Sequence, residues 1–243
     1  MSPDLLDALN PQQREAASHV DGPVLVLAGA GSGKTRVLTY RVAHLIDELG
    51  VAPWHIMAVT FTNKAAGEMR SRIEHLVGEA AQHIWVGTFH SIGARFLRYE
   101  SKQLGIDGIF TVYDEDDRRS LMRRLFAERD LSDQDLDPKA VLHQISRSKT
   151  GMIDASTSME QAGDSPRKRK IAEMYLAYQA ALRASNAFDF DDLIVEPVRQ
   201  LNRCPEVLER YAERFAQVLI DEYQDTNRPQ YLFSKLMASK HRN

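Results

Sequence analysis

Apolar positions follow two rhythms along this chain. Short continuous runs, VLVLAG at 24–29, IMAVTF at 56–61 and IWVGTF at 84–89, each lead into a stretch where apolar residues recur at helical spacing. After the first run the helical face carries Val37, Leu38, Leu45, Ile46 and Leu49 and stops at Gly50. After the second it carries Ala65, Ala66, Met69, Ile73, Leu76 and Val77 and closes at Gly78. A run that is apolar throughout and rich in β-branched residues predicts a strand covered on both faces, and strands alternating with helices predict a parallel sheet. Glycine supplies the left-handed residue that ends each helix.

From about residue 90 to residue 215 the rhythm turns helical, apart from FTVY at 110–113. The stretch 114–131 places Leu121, Met122, Leu125 and Phe126 on one face and offers Asp114–Arg118 and Glu115–Arg119 pairs four residues apart. KIAEMYLAYQAALRAS and PEVLERYAERF are further amphipathic helices, and the polar, Ser- and Gly-rich stretch 148–170 between the first two reads as a mobile loop. A strand returns at QVLIDE, 217–222, before a helix with Asn227 at its N-cap and Pro229 in its first turn. The α/β rhythm therefore occupies 1–89 and 216–243, with a mostly α-helical insert at 90–215. Four core strands are expected. No strand follows the last helix, so the α/β domain is expected to continue past Asn243.

Composition narrows the classes. The 243 residues are 43% hydrophobic and 27% charged, which is the balance of a globular protein with a real core and excludes a disordered or collagenous chain. No apolar run reaches the roughly 20 residues of a membrane helix, and the start, MSPDLLDALN, lacks the basic and apolar segments of a secretory signal. Cys204 is the single cysteine, so an internal disulfide and a Cys-rich zinc site are both excluded, and a cytoplasmic location is expected. Lys and Arg number 31 against 34 Asp and Glu, a net charge of −3, so any nucleic acid must be held by a local groove and not by bulk charge.

The strongest chemical signal is AGAGSGKT, from Ala28 through Gly29, Ala30, Gly31, Ser32, Gly33 and Lys34 to Thr35, between an expected strand and an expected helix. Glycines let backbone N–H groups wrap a phosphate, and the helix N-terminus adds its positive dipole end. Lys34 is placed to reach the β- and γ-phosphates, and the Thr35 hydroxyl to ligate Mg²⁺. LIDEYQDT, 219–226, ends a strand in two carboxylates at the carboxyl edge of the sheet. Asp221 is placed to hold the Mg²⁺, and Glu222 to orient and deprotonate an attacking water. The bland alternatives are a glycine turn that binds nothing and an acidic helix cap; their occurrence together in one sheet weighs against both. Asn63-Lys64-Ala65-Ala66 lacks the carboxylate that would pair with guanine, so ATP is the expected nucleotide.

LNPQQREAA, AGAGSGKTR, VTFTNKAAGEM, VGTFHS, DFDDLI and LIDEYQDT occur in the order and spacing that resemble the superfamily 1 DNA helicases of the UvrD, PcrA and Rep type, covering residues 9 to 226. The resemblance implies a RecA-like P-loop NTPase fold, a parallel sheet with helices on both faces, interrupted by a mostly α-helical subdomain. It implies a motor domain at 1–89 and 216–243, incomplete at its C-terminus, and an insert at 90–215.

The resemblance also implies roles. Gln13 would read adenine; the local alternative is a capping box with Asn10. Arg36 would pack against the adenine, or be a solvated helix arginine. Gln224 would sit near the γ-phosphate and link it to the DNA site. Thr60, Phe61, Asn63, Thr88, Phe89, His90 and Phe190 would hold single-stranded DNA, the polar groups placing phosphates and the rings stacking bases. Core packing is the alternative for the three phenylalanines and helix capping for His90. The basic run Arg167–Lys170 reads as a solvated charge run, with duplex contact the alternative.

The whole protein is thus expected to be an ATP-dependent, 3′ to 5′ DNA helicase or translocase of repair or replication. Its substrates would be single strands and single-strand/duplex junctions, with accessory repair or replication proteins, and a second RecA-like domain and its arginines lie outside this sequence. The chain is expected to bind ATP–Mg²⁺ weakly and not to unwind. Rival readings are a nucleotide- or single-strand-binding module without turnover, a small-molecule P-loop kinase, and a nuclease-fused helicase subunit.

Overall fold

The strand β1 (Ile56–Thr60) is buried at every position, as a central parallel strand must be. The computed structural model to which it belongs describes residues 5–29, 31–106, 108–131 and 136–243. The chain divides into two compact units, one of Met1–Ile92, Leu201–Thr226 and Tyr231–Asn243, the other of Gly93–Gln200 and Asn227–Gln230.

In chain order the helices and strands of the first stretch are α1 (Pro11–Ser18), α2 (Lys34–Asp47), β1, α3 (Asn63–Val77), β2 (Trp85–Thr88) and α4 (Phe89–Tyr99). They are followed by α5 (Ser101–Leu104), β3 (Thr111–Tyr113), α6 (Glu115–Ala127), α7 (Pro138–Thr150), α8 (Ala155–Gln161), α9 (Pro166–Ala184), β4 (Ala187–Asp189) and α10 (Asp192–Arg203). Last come α11 (Pro205–Arg214), β5 (Gln217–Ile220) and α12 (Arg228–Met237).

The first unit is a parallel sheet in the order β2-β1-β5. Met57 lies opposite Trp85 and Thr60 opposite Thr88 on one side, and Ile56 opposite Gln217 on the other. Alternation sends Ile56, Ala58, Val86 and Leu219 to one face, where Leu38, Val42 and Leu45 of α2 and Met69 and Ile73 of α3 cover them. On the other face Trp85 meets Phe215, just past α11, edge-on at 5.1 Å and Tyr211 of α11 at 6.1 Å. Helices on both faces of a parallel sheet are the architecture the apolar runs predict, and each fully buried aliphatic there is worth about 1.5–3 kcal/mol over its exposed state.

One expected strand is absent. Residues 24–29 form no strand with any described residue, and Val24, Leu25, Val26 and Leu27 are exposed, Leu27 at 86%. An apolar run becomes a strand only by hydrogen-bonding to a neighbouring strand, and this one pairs with neither β2 nor β5. Both edges of β1 are taken by β2 and β5, and the Val218 N–H of β5 donates to the Asn243 carbonyl at 3.1 Å. The sheet therefore has three strands among the described residues, not four.

The second unit packs α6, α7 and α9 around Leu121, Met122, Leu125, Phe126, Ile145 and Tyr178. The parallel pair β3–β4 joins it, with Tyr113 opposite Asp189. Gly93 is the close approach: a Cβ there would stand 1.8 Å from the Leu193 carbonyl oxygen. Pro197, inside α10, has no N–H to donate to that carbonyl four residues back, which leaves it open to the glycine.

The stretch read as a mobile loop, 148–170, is mostly helical. It supplies the end of α7, all of α8 and the start of α9. Asp154 caps α8 by accepting from the Thr157 N–H at 2.8 Å, and Ser165 with Pro166 opens α9. Polar composition here marks caps, which local reading confuses with loops. Arg118 also chooses differently from its expected partner Asp114, which caps α6; Arg118 pairs with Glu115, Asp189 and Asp191 instead, whereas the Glu115–Arg119 pair forms as expected.

Candidate functional site

α2 begins at a left-handed Gly33, φ 89°, with no side chain capping its first N–H groups. Gly31 is also left-handed, φ 75°. Only glycine takes both angles at little cost, and the uncapped turn leaves donors pointing out of the helix start. A Cβ on Gly33 would meet the Gln13 side-chain nitrogen at 2.7 Å. The Ser32 hydroxyl donates to the Gly29 carbonyl at 2.7 Å and closes the turn on itself. Ala30 lies outside the described residues.

The Thr35 hydroxyl donates to Asp221 Oδ2 at 3.2 Å. Asp221 extends the sheet, its N–H donating to the Val59 carbonyl at 2.8 Å, so the carboxylate is fixed by the ladder of β1 and β5. Lys34 Nζ stands 3.6 Å from Glu222 Oε2 and 3.5 Å from the Ala28 carbonyl. Glu222 is left-handed, φ 52°, a strained state for a residue with a Cβ. Gln224 donates its amide to Glu222 Oε2 at 2.5 Å. That hydrogen bond, with the charge of Lys34, holds the exposed Glu222 carboxyl below its ordinary range. The four residues Lys34, Thr35, Asp221 and Glu222, placed by sequence far apart, thus converge at one end of the sheet.

Their spacing suits a metal-bound nucleotide. Adjacent ligands of an octahedral Mg²⁺ stand about 3 Å apart, close to the Thr35–Asp221 separation, and both are the hard oxygens that Mg²⁺ prefers. Among the described residues no group of three or more His, Cys, Asp and Glu is placed to form a protein-only metal cage.

Gln13 sits beside this loop and does two things. Its Oε1 accepts from the Asn10 N–H at 3.2 Å while Asn10 accepts from the Gln13 N–H at 2.8 Å, a complete capping box. Its Nε2 donates to the Ser32 carbonyl at 2.9 Å, tying α1 to the glycine-rich loop. Arg36 donates to the Ala8 carbonyl at 2.9 Å and lies over the Tyr40 ring at 5.2 Å, a partner that sequence reading missed.

The residues expected to hold a nucleic acid fall in three states. Thr60 and Thr88 are buried partners across β1 and β2, and the Thr88 hydroxyl caps α4 by accepting from the Ser91 N–H at 3.2 Å. Phe89 is buried and meets the half-buried Phe61 edge-on, ring centres 5.5 Å apart. Asn63 is exposed at the start of α3 and His90 half-buried in α4. Burial pushes the His90 imidazole down to about 4. Phe190, 53% exposed, belongs to the other unit.

Beside Phe190 lies a cluster that local reading could not see. Lys149 is fully buried, its Nζ 2.7 Å from Asp189 Oδ2 and 2.8 Å from Asp192 Oδ1. The three carboxylates in DFDD were the visible half of the signal; the lysine lies 40 residues earlier in polar sequence.

The family model described as the UvrD/REP helicase N-terminal domain matches residues 9–243. The chain is 43% identical over 243 residues to the ATP-dependent DNA helicase PcrA of Bacillus subtilis (strain 168), covering 100% of this chain and 33% of that protein. It is 44% identical over 240 residues to the ATP-dependent DNA helicase PcrA of Leuconostoc citreum, covering 98% of this chain and 32% of that one. The chain thus spans about one third of the length of these curated relatives. Among the described residues, no helix is long and apolar enough to cross a membrane.

Proposed function

This chain belongs to the UvrD/REP helicase family, and on that premise we propose that it is the ATP-binding motor portion of an ATP-dependent DNA helicase or translocase. The observation that carries the reading is the convergence of Lys34 and Thr35 with Asp221 and Glu222. Mg²⁺–ATP, when bound, supplies the phosphoanhydride whose cleavage drives movement.

The chain's own residues divide the work. The N–H groups of the loop and the first turn of α2 bind phosphate oxygens, and the Lys34 ammonium leaves Glu222 to neutralise the β- and γ-phosphates. The Thr35 hydroxyl and the Asp221 carboxylate hold the metal. Glu222, kept ionised by the Gln224 amide, orients a water and takes its proton. Gln224 senses the γ-phosphate through that same carboxylate. Gln13 reads adenine once its amide leaves the Ser32 carbonyl, and Arg36, held over Tyr40, flanks the base.

Single-stranded DNA crosses the ends of β1 and β2. Asn63 and main-chain groups at the strand ends beside the buried Thr60 and Thr88 place phosphates, Phe61 on its Phe89 support stacks a base, and Phe190 stacks another. The direction is 3′ to 5′, the role repair or replication, and the substrates are single strands and junctions. A second motor domain completes the ATP site with arginines; such groups contribute about 10³ to 10⁵ in rate. The chain taken alone accordingly binds ATP–Mg²⁺ weakly, hydrolyses it slowly and does not unwind.

The test compares DNA-stimulated ATP hydrolysis and strand separation in three samples: the full-length protein, its Lys34→Ala variant, and the 243-residue chain. The reading requires both activities in the first and neither in the other two. Rapid DNA-stimulated hydrolysis by the 243-residue chain would overturn its assignment as an incomplete motor.

A further inference from the structure

Phe190 is half exposed between two residues whose side chains are pinned. On one side Asp189, fully buried, takes Lys149 Nζ at 2.7 Å and the Tyr178 hydroxyl at 3.0 Å on a single oxygen, with Arg118 Nε 3.7 Å away. Its other oxygen accepts from the Asp192 N–H at 3.0 Å, closing the turn into α10. On the other side the Asp191 carboxylate accepts from the Ser146 hydroxyl, and Arg118 stands 3.7 Å away. Asp192 points back inward to Lys149 at 2.8 Å. Lys149 also lies over the Tyr178 ring at 5.3 Å. Both neighbours of Phe190 are thus tied to α6 and α7, with the Tyr178 bond adding α9, while the ring between them is half exposed.

Three carboxylates and two cations drawn into an interior are an unpromising way to gain stability. A well-packed apolar group of equal volume commonly does as well or better, because stripping water from each charge offsets their attraction. What directional pairs do provide is one geometry: a carboxylate with fixed donors on both oxygens cannot rotate or let its backbone drift. Burial, with Asp189 and Glu196 nearby, pushes the Asp192 carboxyl up to about 7, against the opposing pull of Lys149; the cluster holds more acid than its cations balance.

We propose that Lys149 and Arg118, through Asp189, Asp191 and Asp192, form a buried charge pedestal that holds the Phe190 ring in the outward position in which it stacks on a base of single-stranded DNA. Lys149 and Tyr178 are then positioning residues for DNA, reaching no nucleotide themselves. The inference rests on the reading of Phe190 as a stacking residue and names what makes that residue competent.

The experiment uses the full-length protein and single-stranded DNA carrying 2-aminopurine, whose fluorescence reports stacking. Phe190→Ala weakens binding about 5- to 150-fold, the span of one base–aromatic stack. Lys149→Met and Tyr178→Phe each weaken it at least about threefold, the scale of couplings between residues in contact, and alter the 2-aminopurine signal, while ATP–Mg²⁺ affinity stays at the wild-type value. In the Phe190→Ala background neither substitution weakens binding further. Tyr178→Phe keeps the ring over Lys149 and removes only the hydroxyl, which donates to Asp189 and accepts from Arg118 Nε at 3.3 Å, both members of the pedestal, so it decides the matter if Lys149→Met does not fold. Loss of affinity in Phe190→Ala with none in Tyr178→Phe, or losses that add fully in the double variants, overturns the pedestal and leaves the stacking role standing. Wild-type affinity in Phe190→Ala overturns the stacking role, and the pedestal falls with it.

Discussion

The Thr35 hydroxyl donates to Asp221 across 186 positions of sequence, at 3.2 Å. One residue opens a helix and the other ends a strand, and the bond sets two oxygens at about the separation of neighbouring ligands on an octahedral cation, the role proposed for them. Substituting Asp221→Asn keeps the shape and an oxygen acceptor but removes the charge. ATP affinity measured by calorimetry with and without Mg²⁺ should then converge, and the ATPase rate of the full-length protein should fall by about 10² to 10³, as when one preorganised electrostatic partner is lost. An undiminished Mg²⁺ dependence would exclude Asp221 as the metal's partner.

Gln13 uses both ends of its amide, one on the Asn10 N–H and one on the Ser32 carbonyl. Gln13→Glu keeps the acceptor that completes the cap and loses the donor. Helix α1 should therefore hold its stability to within the roughly 0.5–2 kcal/mol that caps contribute. Preference for ATP over GTP, measured by competition, should disappear if the amide reads adenine. A preference that survives would leave Gln13 with its capping role alone.

His90 and Asp192 give the two units opposite responses to pH. His90 is pushed down from 6.5 to about 4 by burial, so the unfolded chain takes up its proton first, and stability falls as pH drops from about 6.5 to about 4. Asp192 is raised from 3.8 to about 7, first by burial, so the folded state keeps a proton the unfolded chain has released. Its contribution is full below about 3.8 and is lost as pH rises to about 7. Asp191, also raised, adds to that slope, whereas Asp189, held low, acts below the window. Denaturant titrations from pH 4 to 7 should show His90→Asn flattening the acid-side loss and Asp192→Asn flattening the opposite one, each slope at most about 1.4 kcal/mol per pH unit. A common sign for both variants would contradict these environments.

Gly93→Ala sets two effects against each other. Alanine is the better helix former by about 0.8–1.0 kcal/mol. Its Cβ, however, would stand 1.8 Å from the Leu193 carbonyl, and a backbone atom cannot swing aside as a flexible side chain can. Overpacking of this kind costs about 1–3 kcal/mol or more, so the variant should be less stable, read as a lower denaturant midpoint for the unit that holds α6, α7 and α9. A stabilised variant would mean that α4 and α10 can part freely.

Much of this molecule was legible in its residues. The runs at 56–61, 84–89 and 217–222 became β1, β2 and β5, since a strand covered by helices on both faces is mostly apolar along its length. The glycines around Lys34 and the Asp221-Glu222 pair announced their positions for a similar reason: left-handed turns and strand-end carboxylates are local requirements. Asn10 and Asn227 were readable as caps because capping joins residues three apart.

What failed to show there depends on residues remote in sequence. VLVLAG is as apolar as any strand here, yet a strand exists only through a neighbour's hydrogen bonds, and it pairs with no described strand. The segment 148–170 looked like a loop because caps and loops share Ser, Asp and Gly, and the packing that makes helices of it lies elsewhere. Lys149 reads as one more polar residue until folding brings Asp189 and Asp192 to it. Periodicity records which face is buried, a property each segment carries within itself. Pairing and charge compensation belong to two segments at once, and they take form only when the chain closes the distance between them.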